Sequence, residues 1–216
     1  MSEVRTAAPS VPALANPAAL GLAGFALTTF VLSTHNAMPN QAPDLTWLGL
    51  AFFYGGLAQF AAGMWEFKTG NTFGATAFST YGAFWMGLAT FVVLVLANKV
   101  PAGDVLKDLG WFVLAFLIFN TYMLILSTRV SIAVFGVFLT LEITEALLTI
   151  GYFGGSLAGQ GLVGLGGWVG IVTAIVAWYA SFATIANSMR PVPILPVGSP
   201  LWSDSPAAMS GRTQVT

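Results

Sequence analysis

The sequence has no cysteine, a single histidine, and very little charge: seven basic and eight acidic side chains among 216 residues, or 7%. Without cysteine there are no disulfides, thiolate metal sites, iron–sulfur clusters or thiol nucleophile. His35 with scattered carboxylates is too thin a ligand set for zinc or haem, so neither a metal nor an organic cofactor is expected. A net charge of −1 and the lack of any lysine or arginine run exclude the basic footprint that nucleic-acid binding requires. Soluble proteins carry roughly 25% charged residues, because Lys, Glu, Arg and Asp dominate exposed positions. A chain that is 56% apolar and 7% charged cannot cover a water-facing surface. It is expected to sit in a lipid bilayer.

What the chain does have is long uncharged apolar runs. Crossing ~30 Å of hydrocarbon takes about 20 helical residues, and six stretches qualify: Ala18–Ala37, Leu45–Phe67, Phe73–Ala97, Leu109–Ser127, Ser131–Phe153 and Leu162–Ala186. Aromatic residues run through all six without alternating with polar ones, which disfavours a β-barrel. The predicted fold is all-α, with six transmembrane helices over residues 16–187. Residues 1–15 and 188–216 are rich in Pro, Ser and Ala and are expected to be mobile tails. Glu3 beside Arg5, with Pro9 and Pro12 ahead of the first run, makes a poor cleavable leader, so the first span is expected to remain.

Basic residues flanking the spans set an expected orientation. Arg5, Lys68, Arg129, Arg190 and Arg212 fall on one side, while Lys99 and Lys107 fall on the other beside Asp104 and Asp108. Five against two places both termini in the cytoplasm. On that side the expected helix caps are neutral: Asn16, Asn71, and Ser127 or Thr128. Asp44 and Asp108 are the expected caps outside. Neutral caps leave backbone N–H groups open to anions, which makes an anion-receptive inner vestibule one reading and ordinary helix capping the other.

Few polar groups fall inside the spans. Glu142 and Glu145 lie mid-span in Leu141-Glu142-Ile143-Thr144-Glu145, where a charge costs about 2.5–3.5 kcal/mol on insertion scales. Three residues apart, they share a helical face with Thr149, and Arg129 is more than three turns away. Two carboxylates without a counter-ion should not both carry charge. They are either a proton-binding pair or a hydrogen-bonded helix contact. His35 and Asn36, at the outer end of the first span, either sense pH at the mouth or are interfacial polar residues. Thr28, Thr29 and Gln59 line a wet path or bond across helices. Glu66, Lys68, Asn71 and Thr72 bind an anion or close a tight turn through a weak salt bridge. Clustered glycines, including Gly21, Gly24, Gly55, Gly56, Gly63 and Gly164 to Gly170, predict close helix packing and self-association.

Two motif matches fail. Asn16-Pro17-Ala18 occurs once, whereas an aquaporin needs two copies. Gly154-Gly155-Ser156 lacks the G-x-S-x-G frame of a serine hydrolase. No enzymatic activity is expected.

Longer strings are more informative. Asn16-Pro17-Ala18-Ala19-Leu20-Gly21-Leu22 resembles the N-P-A-P-L-G-L signature of the acetate uptake transporter family, also called succinate–acetate permeases. The segments Phe53-Tyr54-Gly55-Gly56-Leu57-Ala58-Gln59 and Glu66 through Trp85, and the pair His35-Asn36, are similar to further stretches of that family. The resemblance spans roughly residues 15–187. It implies passage of acetate and related short monocarboxylates, in some members succinate, by proton symport or as a channel. It also implies a homohexamer in the plasma (cytoplasmic or inner) membrane. By motif position it implies a constriction of Phe25, Tyr81 and Leu141, with Ala177 lining the route in the last span. Passage of ammonia or ammonium and carboxylate sensing without transport are the alternatives. Two departures stand out: Ala19 replaces the second signature proline, and the fifth span carries Glu142 and Glu145 beside the implied gate.

Overall fold

The computed structural model describes residues 14–202. Six helices are each long and apolar enough to cross a membrane: α1 (Ala18–Ala37), α2 (Thr46–Thr69), α3 (Thr72–Leu96), α4 (Val105–Ser127), α5 (Ile132–Phe153) and α6 (Gly161–Ser188). An even number of crossings puts residues 14–17, the turns near residues 70 and 130, and the segment after Ser188 on one face, here the terminal face. The opposite, loop face carries residues 38–45, 97–104 and 154–160. Lys68, Arg129 and Arg190 lie on the terminal face and Lys99 on the loop face, with Lys107 in the first turn of α4. Arg5 and Arg212 lie outside the described residues.

The helix ends follow local chemistry, with three changes from expectation. Asn71 caps α3, its Oδ1 accepting from Gly74 N at 3.0 Å. Gly70 turns the chain ahead of it at φ 78°, a left-handed conformation that glycine adopts without a Cβ penalty. Asn16 Oδ1 accepts from Ala18 N at 3.0 Å. The cap of α5 is Ser131, whose Oγ accepts from Val134 N, not Ser127 or Thr128. Their hydroxyls instead donate back to Leu124 O and Ile125 O. Asp44 does not cap α2; it faces His35 at 3.7 Å. Asp108 does not cap α4, because that helix starts three residues earlier, at Val105.

The helices close into a ring in the order α1, α6, α5, α4, α3, α2. The α1–α6 side is the tightest. A Cβ on Gly167 would run into the backbone of Ala37, and one on Gly170 into Ser33. Ser181 Oγ donates to Ala19 O at 2.8 Å. Small residues let these backbones approach without a hydrophobic drive that lipid would cancel. The α3–α4 side is joined mainly by aromatic rings, with Phe84 tilted against Phe112 and edge-on to Phe116. Among the described residues, the backbones of α3 and α5 nowhere come close. The space between α1, α3 and α5 is filled by side chains, and the candidate site lies there.

α2 is not a regular helix. Phe53–Ala58 is a π-helical turn, placed where Gly24 lets α1 come up against Tyr54 O and Gly55 lets Thr28 come close. π-Turns often mark functional sites. At the other end of the chain, the stretch expected to run free after residue 188 is tied down as far as Trp202. Asn187 Oδ1 accepts from Ile194 N and Leu195 N, and Tyr179 Oη donates to Pro196 O. Ala133 N then donates to Val197 O, and Trp202 N to Thr128 O. The Trp202 ring lies under the Arg129 guanidinium, 4.9 Å from its centroid.

Candidate functional site

Three cavities lie in line through the bundle. The one toward the terminal face has a volume of about 90 Å³ and an almost wholly apolar wall, including Leu22, Phe25, Phe78, Tyr81, Val137 and Leu141, with Gln59 and Asn71 as its polar members. The middle chamber, about 40 Å³, is lined by Phe25, Thr29, Ser33, Asn36, Tyr81, Trp85, Leu141, Thr144 and Glu145 among others. The third opens toward the loop face, about 270 Å³, and includes Leu32, His35, Asn36, Asp44 and Tyr152. Phe25, Tyr81 and Leu141 border both of the first two cavities, and so form the partition between them. Leu32 and Asn36 border both the second and the third.

The partition is a packed aromatic knot. Phe25 meets Tyr81 edge-on with centroids 5.7 Å apart, and Tyr81 also contacts Phe84, Phe116 and Phe119. All three partition residues are buried within one core cluster. The small residues Ala18, Gly74 and Ala77 line the terminal-face cavity beside them.

Behind the Tyr81 ring lies a polar cluster. Its hydroxyl is 2.9 Å from Asn120 Oδ1 and 3.2 Å from Glu145 Oε1. Asn120 Nδ2 donates to Phe138 O at 3.0 Å and to Glu142 Oε2 at 2.6 Å. Glu142 Oε1 accepts from Thr121 Oγ1 at 2.7 Å. Glu142 and Glu145 are therefore both hydrogen-bonded, but to different partners. Glu145 is buried beside the middle chamber; Glu142 is half-buried and points toward exposed Thr121. Among the described residues no cation pairs with either. Glu145 Oε2, Thr29 Oγ1 and Trp85 Nε1 are buried without a protein partner, and all three residues line the chamber.

The remaining sequence candidates divide. His35 lines the loop-face cavity with its Nδ1 toward Asp44, and Asn36 spans two cavities. Thr28 is buried but faces the π-turn through Gly55 and lines none of the three cavities. Ala177 lies in the core cluster away from all three, and Thr72 is exposed. Asn16, Pro17 and Leu20 line a separate surface cleft with Trp65 and Thr69. Gly21 packs on the Phe78 ring, and Leu22 borders the terminal-face cavity. The turn at residues 66–72 is closed differently from expectation. Glu66 Oε2 accepts from Thr69 Oγ1 and from Asn71 Nδ2, both at 3.0 Å, with no ion pair to Lys68 among the described residues. A buried carboxylate beside Asn71 works against anion binding there.

Asn120, Thr121 and the Thr144–Thr173 hydroxyl pair, 3.2 Å apart, are members that sequence reasoning missed. A lone asparagine deep in an apolar span, in Phe119-Asn120-Thr121, was the available signal.

Comparison with known proteins agrees with this architecture. The model of the GPR1/FUN34/yaaH family matches residues 2–199. Acetate permease A of Emericella nidulans is 41% identical over 213 residues, covering 93% of this chain and 71% of the relative. The succinate-acetate/proton symporter SatP of Escherichia coli is 36% identical, covering 86% and 96%. Ammonia transport outward protein 2 of Saccharomyces cerevisiae is 38% identical, covering 80% of this chain and 62% of the relative. The solved structure of the bacterial acetate channel SatP superposes with a TM-score of 0.79 at 34% identity, over 86% of this chain and all of the other.

Proposed function

The chain belongs to the GPR1/FUN34/yaaH family, and from that premise we propose that it moves acetate and similar short carboxylates, succinate included, across the plasma (cytoplasmic or inner) membrane, with both of its termini in the cytoplasm. The observation that carries this reading is the partition: Phe25, Tyr81 and Leu141 each border the cavities on both of its sides. A solute that crosses must pass these three side chains.

The chemistry of the wall decides the form in which it passes. A carboxylate stripped of water beside Phe25, Leu141 and the Tyr81 ring meets a desolvation cost of several kcal/mol. The neutral acid avoids most of it. His35 and Asn36 on the loop-face side, and Gln59 in the terminal-face cavity, handle the hydrated solute. Thr29 and Glu145 meet it in the middle chamber. Glu145, one turn from Leu141 and hydrogen-bonded to Tyr81, is the group that exchanges a proton with the solute, and Glu142 backs it through Asn120. This makes transport proton-coupled. Catalysis is not part of the reading.

The protomer assembles with copies of itself as a hexamer. Glu142 lies at the middle of α5, half-buried and beside exposed Thr121, and a carboxylate facing lipid at that depth is costly. A neighbouring copy supplies cover.

The test is uptake of radiolabelled acetate into sealed proteoliposomes, with and without an imposed pH gradient. Uptake above protein-free vesicles, stimulated when the outside is acidic, is the expected result. Uptake no faster than through bare lipid would overturn the transport reading. Full, equally proton-linked flux in the Glu142→Gln/Glu145→Gln double variant would overturn the coupling. The name of the yeast relative favours one second reading, passage of ammonia, and the same vesicles test it by the internal alkalinisation that ammonia produces.

A further inference from the structure

Asn120 is completely buried, and its amide is fully engaged: Oδ1 faces the Tyr81 hydroxyl, and Nδ2 donates to Phe138 O and Glu142 Oε2. These partners fix which way the amide points. Turned over, it would aim a carbonyl oxygen at Phe138 O, which can only accept, and lose that bond. Oδ1 therefore faces Tyr81 as an acceptor. The tyrosine has one hydroxyl proton, and two acceptors lie within reach, Asn120 Oδ1 at 2.9 Å and Glu145 Oε1 at 3.2 Å. With that proton on Asn120, the Tyr81–Glu145 contact is a hydrogen bond only when Glu145 supplies the proton. Once Glu145 gives its proton up, Oε1 becomes an acceptor and competes with Asn120 for the hydroxyl.

We propose that Asn120 is a positioning residue: it holds the Tyr81 hydroxyl against the α4 side while Glu145 is protonated, and yields it to Glu145 when that proton leaves. The state of one buried acid is thereby written into the orientation of a side chain in the partition. This rests on the reading of the partition as the passage's narrow point. It adds that the narrow point has two settings, selected by a proton. The groups facing Glu145 are few. Tyr81 comes from α3, and Glu142 from its own helix. α4 offers the neutral Asn120, and α1 offers Thr29 and Ser33; Tyr81 and Glu145 are the titratable residues that line the middle chamber.

The test has two arms on the full chain. In the first, infrared difference spectra of the protein in lipid are recorded across a pH step. The expected spectrum contains a protonated-carboxyl stretch that vanishes in Glu145→Gln and shifts in frequency in both Asn120→Leu and Tyr81→Phe. An unshifted band in Asn120→Leu overturns the proposal, whether or not the protein transports acetate. Should Asn120→Leu fail to fold, Asn120→Thr gives the same readout with a smaller perturbation. In the second arm, the acetate-to-butyrate uptake ratio is followed against external pH in proteoliposomes. Its pH dependence should fall about fivefold in Asn120→Leu, the equivalent of one buried hydrogen bond of about 1 kcal/mol. The same substitution should have no further effect in a Tyr81→Phe background, because the two act as one unit. A pH profile like wild type in a transporting Asn120 variant overturns the proposal. Absence of acetate uptake in the wild type overturns the transport reading instead and leaves the infrared arm to decide.

Discussion

Truncating Phe25 to alanine isolates what the partition does. The ring is 5% exposed, sits edge-on to Tyr81 with ring planes at 67°, and divides cavities of about 90 and 40 Å³. Removing an enclosed phenylalanine side chain costs about 3–5 kcal/mol, of which about 0.5–1.5 kcal/mol belongs to the ring pair. This ring has open space on two sides and so fewer neighbours to lose, which places the stability loss near the lower end, about 3 kcal/mol. The effect on passage is separate and larger. A wall that rejects one extra methylene discriminates by roughly 10–200-fold, and butyrate is two methylenes longer than acetate. With the ring gone, the acetate-to-butyrate uptake ratio should fall at least about tenfold, while acetate uptake itself holds or rises. The assay is paired uptake of the two labelled acids into proteoliposomes of matched protein content, with the leak through protein-free vesicles subtracted. A ratio within about twofold of wild type, in a variant that still elutes as a single sharp species, would mean that selection happens elsewhere.

Other consequences concern the frame around the passage. A Cβ on Gly82 would lie 2.7 Å from the backbone nitrogen of Phe60, and backbone cannot swing aside, so Gly82→Ala should destabilise by about 1–3 kcal/mol, seen as a lower midpoint of thermal unfolding in detergent. Asn71→Ala removes both the α3 cap and one partner of Glu66 and should cost about 1 kcal/mol. Asn71→Asp keeps a cap but sets two carboxylates together, and should unfold at a lower temperature than Asn71→Ser. Ending the chain after Ser188 deletes the partners of Ala133 N and Thr128 O, and amide exchange at residues 128–136 should speed up while the centre of α5 stays protected.

The spans were legible because a chain with so few charges has few places to turn, and those turns carry Gly70, Ser131 and the glycines after Phe153. The partition was legible only through the resemblance, since nothing in the spacing of Phe25, Tyr81 and Leu141 distinguishes them from other apolar residues. What the sequence hid has a common cause: it depends on partners far along the chain. The π-turn at Phe53–Ala58 answers to Gly24 and Thr28 on another helix. The hold on residues 189–202 runs through backbone carbonyls of Leu195, Pro196 and Val197, which composition does not report. The carboxylates at 142 and 145 stand out in any reading of the span. That they diverge, one inward to Tyr81 and one outward to Thr121, follows from where α3 and α4 lie.

The unequal sides of the helix ring have a mechanical meaning. Where α1 and α6 touch, glycine and alanine leave no slack, and sliding or parting there would drive backbone into backbone. Diagonally across, α3 and α4 meet mainly through tilted and edge-on rings, which can re-seat, with the Tyr81–Asn120 hydrogen bond as a polar link between them. Any breathing of the protein is thus channelled to one flank, with α1 and α6 as the spine. Paired spin labels on α3 and α4 should report a broad distance distribution, and a pair on α1 and α6 a narrow one.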